Sequence, residues 1–245
     1  MDFNSEKTWQ NYDPEGHVRI RLDKVQEMIP DGVRTILDVG CGNGIITNAL
    51  AGDYDVTGID PSLAALEHVP GKKALAAVEA IPFPDSSFDL VSCNQVLEHL
   101  DDKAVGAGIR ELKRVARTYL LIGVPHREQL EKKLSRCASC GHTSHVDGHL
   151  QSLDLADLDS FFLPGFERLR HSIFGIQERD SPPLFLAWKH RLGQWFEAYP
   201  DSVCPKCGSS DFLHKSNLLT KLINAVNVIV TKPRPYWLLA LYKKK

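Results

Sequence analysis

The stretch Ile36-Leu37-Asp38-Val39-Gly40-Cys41-Gly42-Asn43-Gly44-Ile45-Ile46 leaves the backbone few courses. An apolar, β-like run ends at an acid, glycine then recurs at every second position, and a helical pattern follows. Gly40, Gly42 and Gly44 let the chain turn sharply and approach a ligand with no Cβ in the way. A helix starting after such a loop aims its unpaired N–H groups at whatever sits there. The arrangement suits an adenosine-type cofactor. It is not the dinucleotide fingerprint, which needs G-x-G-x-x-G with the third glycine packing helix on strand.

Downstream, Val56-Thr57-Gly58-Ile59-Asp60-Pro61-Ser62 reads as a second short strand ending in an acid. A carboxylate there can accept from both ribose hydroxyls. Asp60 or Ser62 can equally cap the helical run that starts at Leu63. Next, Ile81-Pro82-Phe83-Pro84-Asp85-Ser86-Ser87-Phe88-Asp89-Leu90-Val91 leads into Ser92-Cys93-Asn94-Gln95-Val96-Leu97-Glu98-His99-Leu100. These three blocks, in this order, resemble the class I S-adenosylmethionine (SAM)-dependent methyltransferases, of the type 11-like kind, over roughly residues 30 to 125. The resemblance implies a Rossmann-like, doubly wound, mostly parallel seven-stranded sheet with an antiparallel last strand. It implies SAM as cofactor, held by Asp38, Gly40, Cys41, Gly42, Gly44, Asp60 and Pro61, with Asn94 and Gln95 at its methionine end. One position departs: where the family often has an acid for the adenine, this chain has Ala77. Either Glu79 substitutes, or the backbone at Val78 and Glu79 reads the adenine.

Alternating strand and helix patterns point to the same architecture. Strands are expected at 35–39, 55–59, 88–93 and 118–124, and helices at 44–51, 62–68 and 103–117. Val105, Ile109, Leu112 and Val115 repeat at helical spacing. Ligands of such sheets sit at the carboxyl ends of the strands, where the strand order reverses. The expected organisation is a SAM-binding core at 1–135 and a first zinc-knuckle insertion at 136–150. A core helix and strand follow at 151–177, with Asp154 opening the helix and Gly165 closing it. A helical insertion with a second knuckle spans 178–232, and the last strand with a basic tail spans 233–245. The helical insertion is read as two helices. One carries Trp188, Leu192, Trp195, Phe196 and Tyr199 on one face; the other runs from Leu218 to Val230 with Ser216 as N-cap.

Cys137-Ala138-Ser139-Cys140-Gly141-His142 and Cys204-Pro205-Lys206-Cys207-Gly208-Ser209 are both C-x-x-C-G knuckles. Each turn can aim two thiolates at one point, and two such pairs compose a structural Cys₄ zinc site. The other arrangement joins Cys137 and Cys140 with two of His142, His145 and His149. Cys41 and Cys93 read as packing residues.

Net charge of −2 and pI near 6.5 leave no overall nucleic-acid footprint. No apolar stretch is long enough to span a bilayer as a helix. A cytoplasmic location is expected, with reduced cysteines. The terminal Tyr242-Lys243-Lys244-Lys245 and the insertion helices leave peripheral membrane contact open. Methyl transfer to a hydroxyl needs a base, and the candidates are His99, His126 and His149. The expected acceptor is an O or N atom of a small molecule, sugar or lipid-linked glycan. The stretch from Val124 to Ser152 resembles a bacterial subgroup of surface-glycan and secondary-metabolite methyltransferases. The alternatives are an RNA or protein methyltransferase whose zinc module grips the macromolecule, and a SAM-binding regulator without catalysis.

Overall fold

The computed structural model describes Glu6, Trp9 and residues 17–192, 196–199, 202–213 and 217–245. Helix α1 (His17–Met28) precedes β1 (Thr35–Val39), α2 (Ile45–Leu50), β2 (Asp55–Asp60), α3 (Leu63–Leu66) and β3 (Lys72–Leu75). Then come β4 (Phe88–Asn94), α4 (Asp102–Val115) and β5 (Ala116–Pro125). The remaining core elements are α5 (Leu155–Phe162), β8 (Phe166–Arg179) and β9 (Pro233–Lys244).

The seven-stranded sheet has the order β3-β2-β1-β4-β5-β9-β8. Strands β1 to β5 pair in parallel, and β9 runs antiparallel to both β5 and β8. The order reverses between β1 and β4, so the expected ligand crevice opens where Val39, Asp60 and Asn94 end their strands. Helices cover both faces. One face packs Val105, Ile109, Leu112 and Val115 of α4 with Leu158 and Phe162 of α5; the other packs Val25, Met28 and Leu50. Each such side chain contributes about 1.5–3 kcal/mol by leaving water. Helix α4 starts where the Asp101 carboxylate accepts from Ala104 N, and α5 where Asp154 and Asp157 form a reciprocal capping box.

After β5, the strands β6 (Leu134–Arg136) and β7 (Thr143–His145) form a separate antiparallel hairpin. Helices α6 (Pro183–Leu192) and α7 (Leu218–Val230) lie between β8 and β9. Three expectations need correction. Strand β3 carried no alternation to reveal it, because three of its four residues are exposed at the sheet edge. The aromatic run from Trp188 to Tyr199 is not one helix: α6 occupies Pro183–Leu192, while Phe196 lies outside it, buried and stacked on the His190 ring. Trp195 and Ser216 lie outside the described residues. The cap of α7 is Asn217, whose side chain accepts from Thr220 N at 3.0 Å, while the Thr220 hydroxyl accepts from Asn217 N.

Candidate active site at the carboxyl ends of the strands

The three loop glycines all adopt left-handed backbone, with φ of 72° at Gly40, 53° at Gly42 and 76° at Gly44. A Cβ at Gly40 would lie 2.3 Å from Val96 Cγ2, and one at Gly42 would lie 2.8 Å from Trp9 Cζ3. A side chain at either position would be strained by the backbone conformation and would have to displace its neighbour. Val96, just past β4, and the buried indole of Trp9 thus stand directly on the loop. The loop folds back on β2: the N–H groups of Gly40 and Cys41 both donate to Ile59 O, at 2.8 and 3.0 Å.

Asp60 ends β2 and is buried. Its two oxygens accept from Gly42 N and Ser62 N, each at 2.9 Å, so one carboxylate ties the loop to the start of α3. Burial raises its pKa, and those two N–H donors oppose the rise. Asp38, also buried, accepts from the Thr47 hydroxyl at 2.6 Å; burial lifts it to about 6 against that bond. The Cys41 thiol packs against Gly58, and Cys93 is buried in the core. Pro61 is exposed beside Asp60. The Val78 side chain belongs to the core against Gly108, and Glu79 is half-buried. The Asn94 side chain donates to Ser92 Oγ at 2.6 Å and lies against Gly123, while Gln95 turns with φ of 58°.

Beyond Val96 the chain forms a short 3₁₀ turn, Leu97–His99. The Glu98 carbonyl accepts from Leu150 N at 2.7 Å and from Gln151 N at 3.2 Å. Those bonds pin the segment after β7 to the end of β4 and bring three imidazoles together. The rings of His99 and His149, and of His145 and His149, have centroids 4.7 Å apart. His149 Nδ1 is hydrogen-bonded to Glu128 Oε2. Glu128 is buried and also accepts from the Tyr236 hydroxyl at 2.5 Å and meets Lys133 Nζ at 3.1 Å. Burial alone would depress the His149 pKa, yet the bond to Glu128 and its charge outweigh that and raise it. Burial likewise pushes Glu128 upward, but His149, Lys133 and Tyr236 hold it well below the usual carboxylate range. His99 and His145 are both pushed down to about 4, chiefly by burial.

Glu98 is 1% exposed, and neither carboxylate oxygen has a hydrogen-bond partner among the described residues. Burial raises it to about 7. The cluster of Glu128, His145, Asp147 and His149 already contains its cation. Lys133 Nζ lies 3.1 Å from Glu128 Oε1 and 3.7 Å from Asp147 Oδ2, and His145 Nδ1 accepts from the backbone N–H groups of Asp147 and His149. A divalent ion there would face an ammonium and a histidine of the wrong tautomer. His126, the third expected base, sits at the end of β5 as a backbone bridge to Leu153, with its carbonyl held by Arg234. Burial, then Arg234 and Arg127, lower its pKa. A cleft of about 420 Å³ nearby is lined by Arg127, Glu128, Asp154 and Asp180 and shares no residue with the glycine loop. Glu128 and Glu98 were not singled out in the sequence, although both adjoin histidines that were.

The two knuckles meet. Cys137, Cys140, Cys204 and Cys207 place their sulfurs within 4.8 Å of one another, with 3.6 Å between Cys137 and Cys207 and 3.7 Å between Cys140 and Cys204. Both knuckles close alike: Gly141 N donates to Cys137 O and Gly208 N to Cys204 O, with φ of 70° and 72° at the two glycines. Ala138 N to Asp211 O and Leu213 N to Arg136 O join them. His145 and His149 turn to Glu128 instead, which speaks against their serving as partners of Cys137 and Cys140.

Residues 37–119 match the methyltransferase domain family. The chain is 35% identical over 97 residues to a ubiquinone biosynthesis O-methyltransferase of Ralstonia nicotianae, covering 35% of this chain and 40% of that protein. It is 40% identical over 101 residues to a 2-methyl-6-phytyl-1,4-hydroquinone methyltransferase of Synechocystis sp., covering 37% and 31%. The chain thus spans less than half the length of these two curated relatives. The crystal structure of a SAM-dependent methyltransferase from Archaeoglobus fulgidus superposes with a TM-score of 0.58 at 16% identity, covering 93% of each chain. The fold is therefore the Rossmann-like one of that protein.

Proposed function

We propose that this chain is a SAM-dependent methyltransferase acting on an O or N atom of a small molecule, sugar or lipid-linked glycan, with a hydroxyl the favoured acceptor. The observation that carries the reading is the Glu128–His149 pair, whose His149 ring meets His99 of the 3₁₀ turn that follows Val96, the residue packed on Gly40. The residues present fit the cofactor. Gly40 and Gly42 remain half-buried with no side chain in the way, and each Asp60 oxygen keeps a lone pair beyond the one its N–H donor uses. When bound, SAM supplies a methyl group on a sulfonium, its own leaving group. The chain must then orient the acceptor and take its proton. Glu128 holds the His149 Nδ1–H, so neutral His149 presents Nε2 as base. Asp38, Gly40, Cys41, Gly42, Gly44, Asp60 and Pro61 form the cofactor set, with Gln95, Val78 and Glu79 at its borders. Buried Glu98 is suited to bind a polar group of the acceptor.

The four thiols would hold a structural zinc. Tetrahedral Zn–S bonds of about 2.3 Å put sulfurs roughly 3.8 Å apart, and the observed 3.6 and 3.7 Å fit that edge. A disulfide would need about 2.05 Å.

Asp60→Ala is expected to weaken SAM binding by about 1–3 kcal/mol, through loss of a charged acceptor and of the loop tie; calorimetry returning an unchanged affinity would remove Asp60 from the cofactor site. Methyl-labelled SAM added to fractionated extract is expected to mark small-molecule, glycan or lipid pools. Label in RNA or protein would overturn the acceptor class, and label nowhere would favour a regulator.

A further inference from the structure

Helix α7 is built inside out. Its buried positions are Thr220, Ile223 and Asn227, two of them polar. Asn227 Nδ2 donates to Asp180 O at 3.1 Å, and the Arg179 guanidinium holds the carbonyls at the helix end. The outward positions are apolar: Leu218 and Ile229 are each 84% exposed, Leu222 60% and Val228 56%. Helix α6 packs beside it and exposes Leu184 and Trp188. A face this apolar, turned to solvent while the polar side is kept inward, marks a surface that meets a nonaqueous partner.

Charge narrows the partner. No Asp or Glu occurs from Ser181 to Phe196, nor from Phe212 to the last residue. Exposed Arg191, Lys221 and Lys232 flank the apolar face. The nearest acid before α6, Asp180, is spent on Arg234 at 2.8 and 3.0 Å. A second copy docking face to face would set these cations against their own images, with no carboxylate on either helix to offset them. A leaflet with anionic headgroups meets both features, taking the apolar side chains among its acyl chains and the cations at its phosphates. Helix α7 has 13 residues, so it can lie in an interface, and no described helix is long and apolar enough to cross a membrane. The Lys243–Lys245 tail plays no part: it lies at the opposite end of β9, where Lys244 donates to Ala116 O.

We propose that the α6–α7 face docks on an anionic lipid surface. This needs no assumption about the methyl acceptor. The test uses the whole protein with vesicles of phosphatidylcholine alone or mixed with phosphatidylglycerol. Cosedimentation is expected with the mixed vesicles and weakly or not at all with the neutral ones, falling as salt rises. Leu222→Glu with Ile229→Glu is expected to reduce binding on the order of tenfold or more, while Leu169→Glu on β8 leaves it unchanged. Lys221→Gln with Lys232→Gln keeps the apolar face and is expected to flatten the salt dependence, which guards against a misfolded glutamate variant. Wild-type protein left in the supernatant with mixed vesicles overturns the proposal, as does a glutamate variant, folded by circular dichroism, that binds as well as wild type. A dimer by light scattering that the glutamate pair dissociates, with no vesicle binding, assigns the face to a second copy instead.

Discussion

Cys204→Ser is expected to strip the metal from the protein and to destabilise the region that carries His149. The knuckle Cys137–Cys140 is the turn between β6 and β7, and each of those strands has only three residues. Such a hairpin is marginal by itself. Its support comes from the second knuckle, through two backbone bonds and the four gathered sulfurs. Structural zinc in small modules is worth on the order of 10 kcal/mol, comparable to the roughly 5–15 kcal/mol that stabilises a whole domain. Loss of one thiolate should therefore cost several kcal/mol. The measurements are elemental analysis, with about one zinc per chain expected in the wild type, and calorimetric melting with and without chelator. SAM affinity should change little, because the glycine loop is held by its own bonds to Ile59 and Asp60. Wild-type protein purified without zinc, or melting unchanged when chelator is added, would refute the zinc reading.

What could be read from the chain and what could not follow one physical division. The glycine loop, the acids ending β1 and β2, the buried face of α4 and the Asp154 cap are local. Each is dictated by residues within a turn or two, through φ, capping or period. Strand β3 escaped because an exposed edge strand has no buried face to impose alternation. The aromatic run after Trp188 misled because a helical period alone does not stop a helix; Phe196 lies outside α6, stacked on His190 and facing Arg136. The site beyond the loop was the least legible. Glu128 meets Tyr236, 108 residues on, and His149, 21 residues on. No spacing rule couples positions brought together by the pairing of β5 with β9 and by the bonds of Leu150 and Gln151 to Glu98. The histidines could be noticed in the sequence, but choosing His149 among them required its carboxylate. The apolar period of α7 was visible in the sequence; only the structure shows that it faces outward.

His149→Ala is expected to lower kcat for a hydroxyl acceptor by about 10²–10⁴-fold, the usual worth of a positioned general base, with SAM affinity kept. Glu128→Gln should be milder and more diagnostic. The native carboxylate fixes the Nδ1–H tautomer and raises the His149 pKa above the ordinary histidine value, against the effect of burial. A base works only when unprotonated. The acid limb of the kcat/KM profile should therefore rise with an apparent pKa above that of an ordinary histidine. Removing the charge removes the term that raises the pKa and leaves burial, which lowers it, so the limb should move to lower pH while the plateau drops. A residue that merely supports the fold would lower the plateau without moving the limb. Glu98 lies in the same cluster and is raised to about 7 by burial, so it could contribute a limb of its own. Glu98→Gln separates the two: the limb that survives it and shifts in Glu128→Gln belongs to His149. An acid limb unmoved by Glu128→Gln would remove His149 as the base and leave the acceptor proton to solvent.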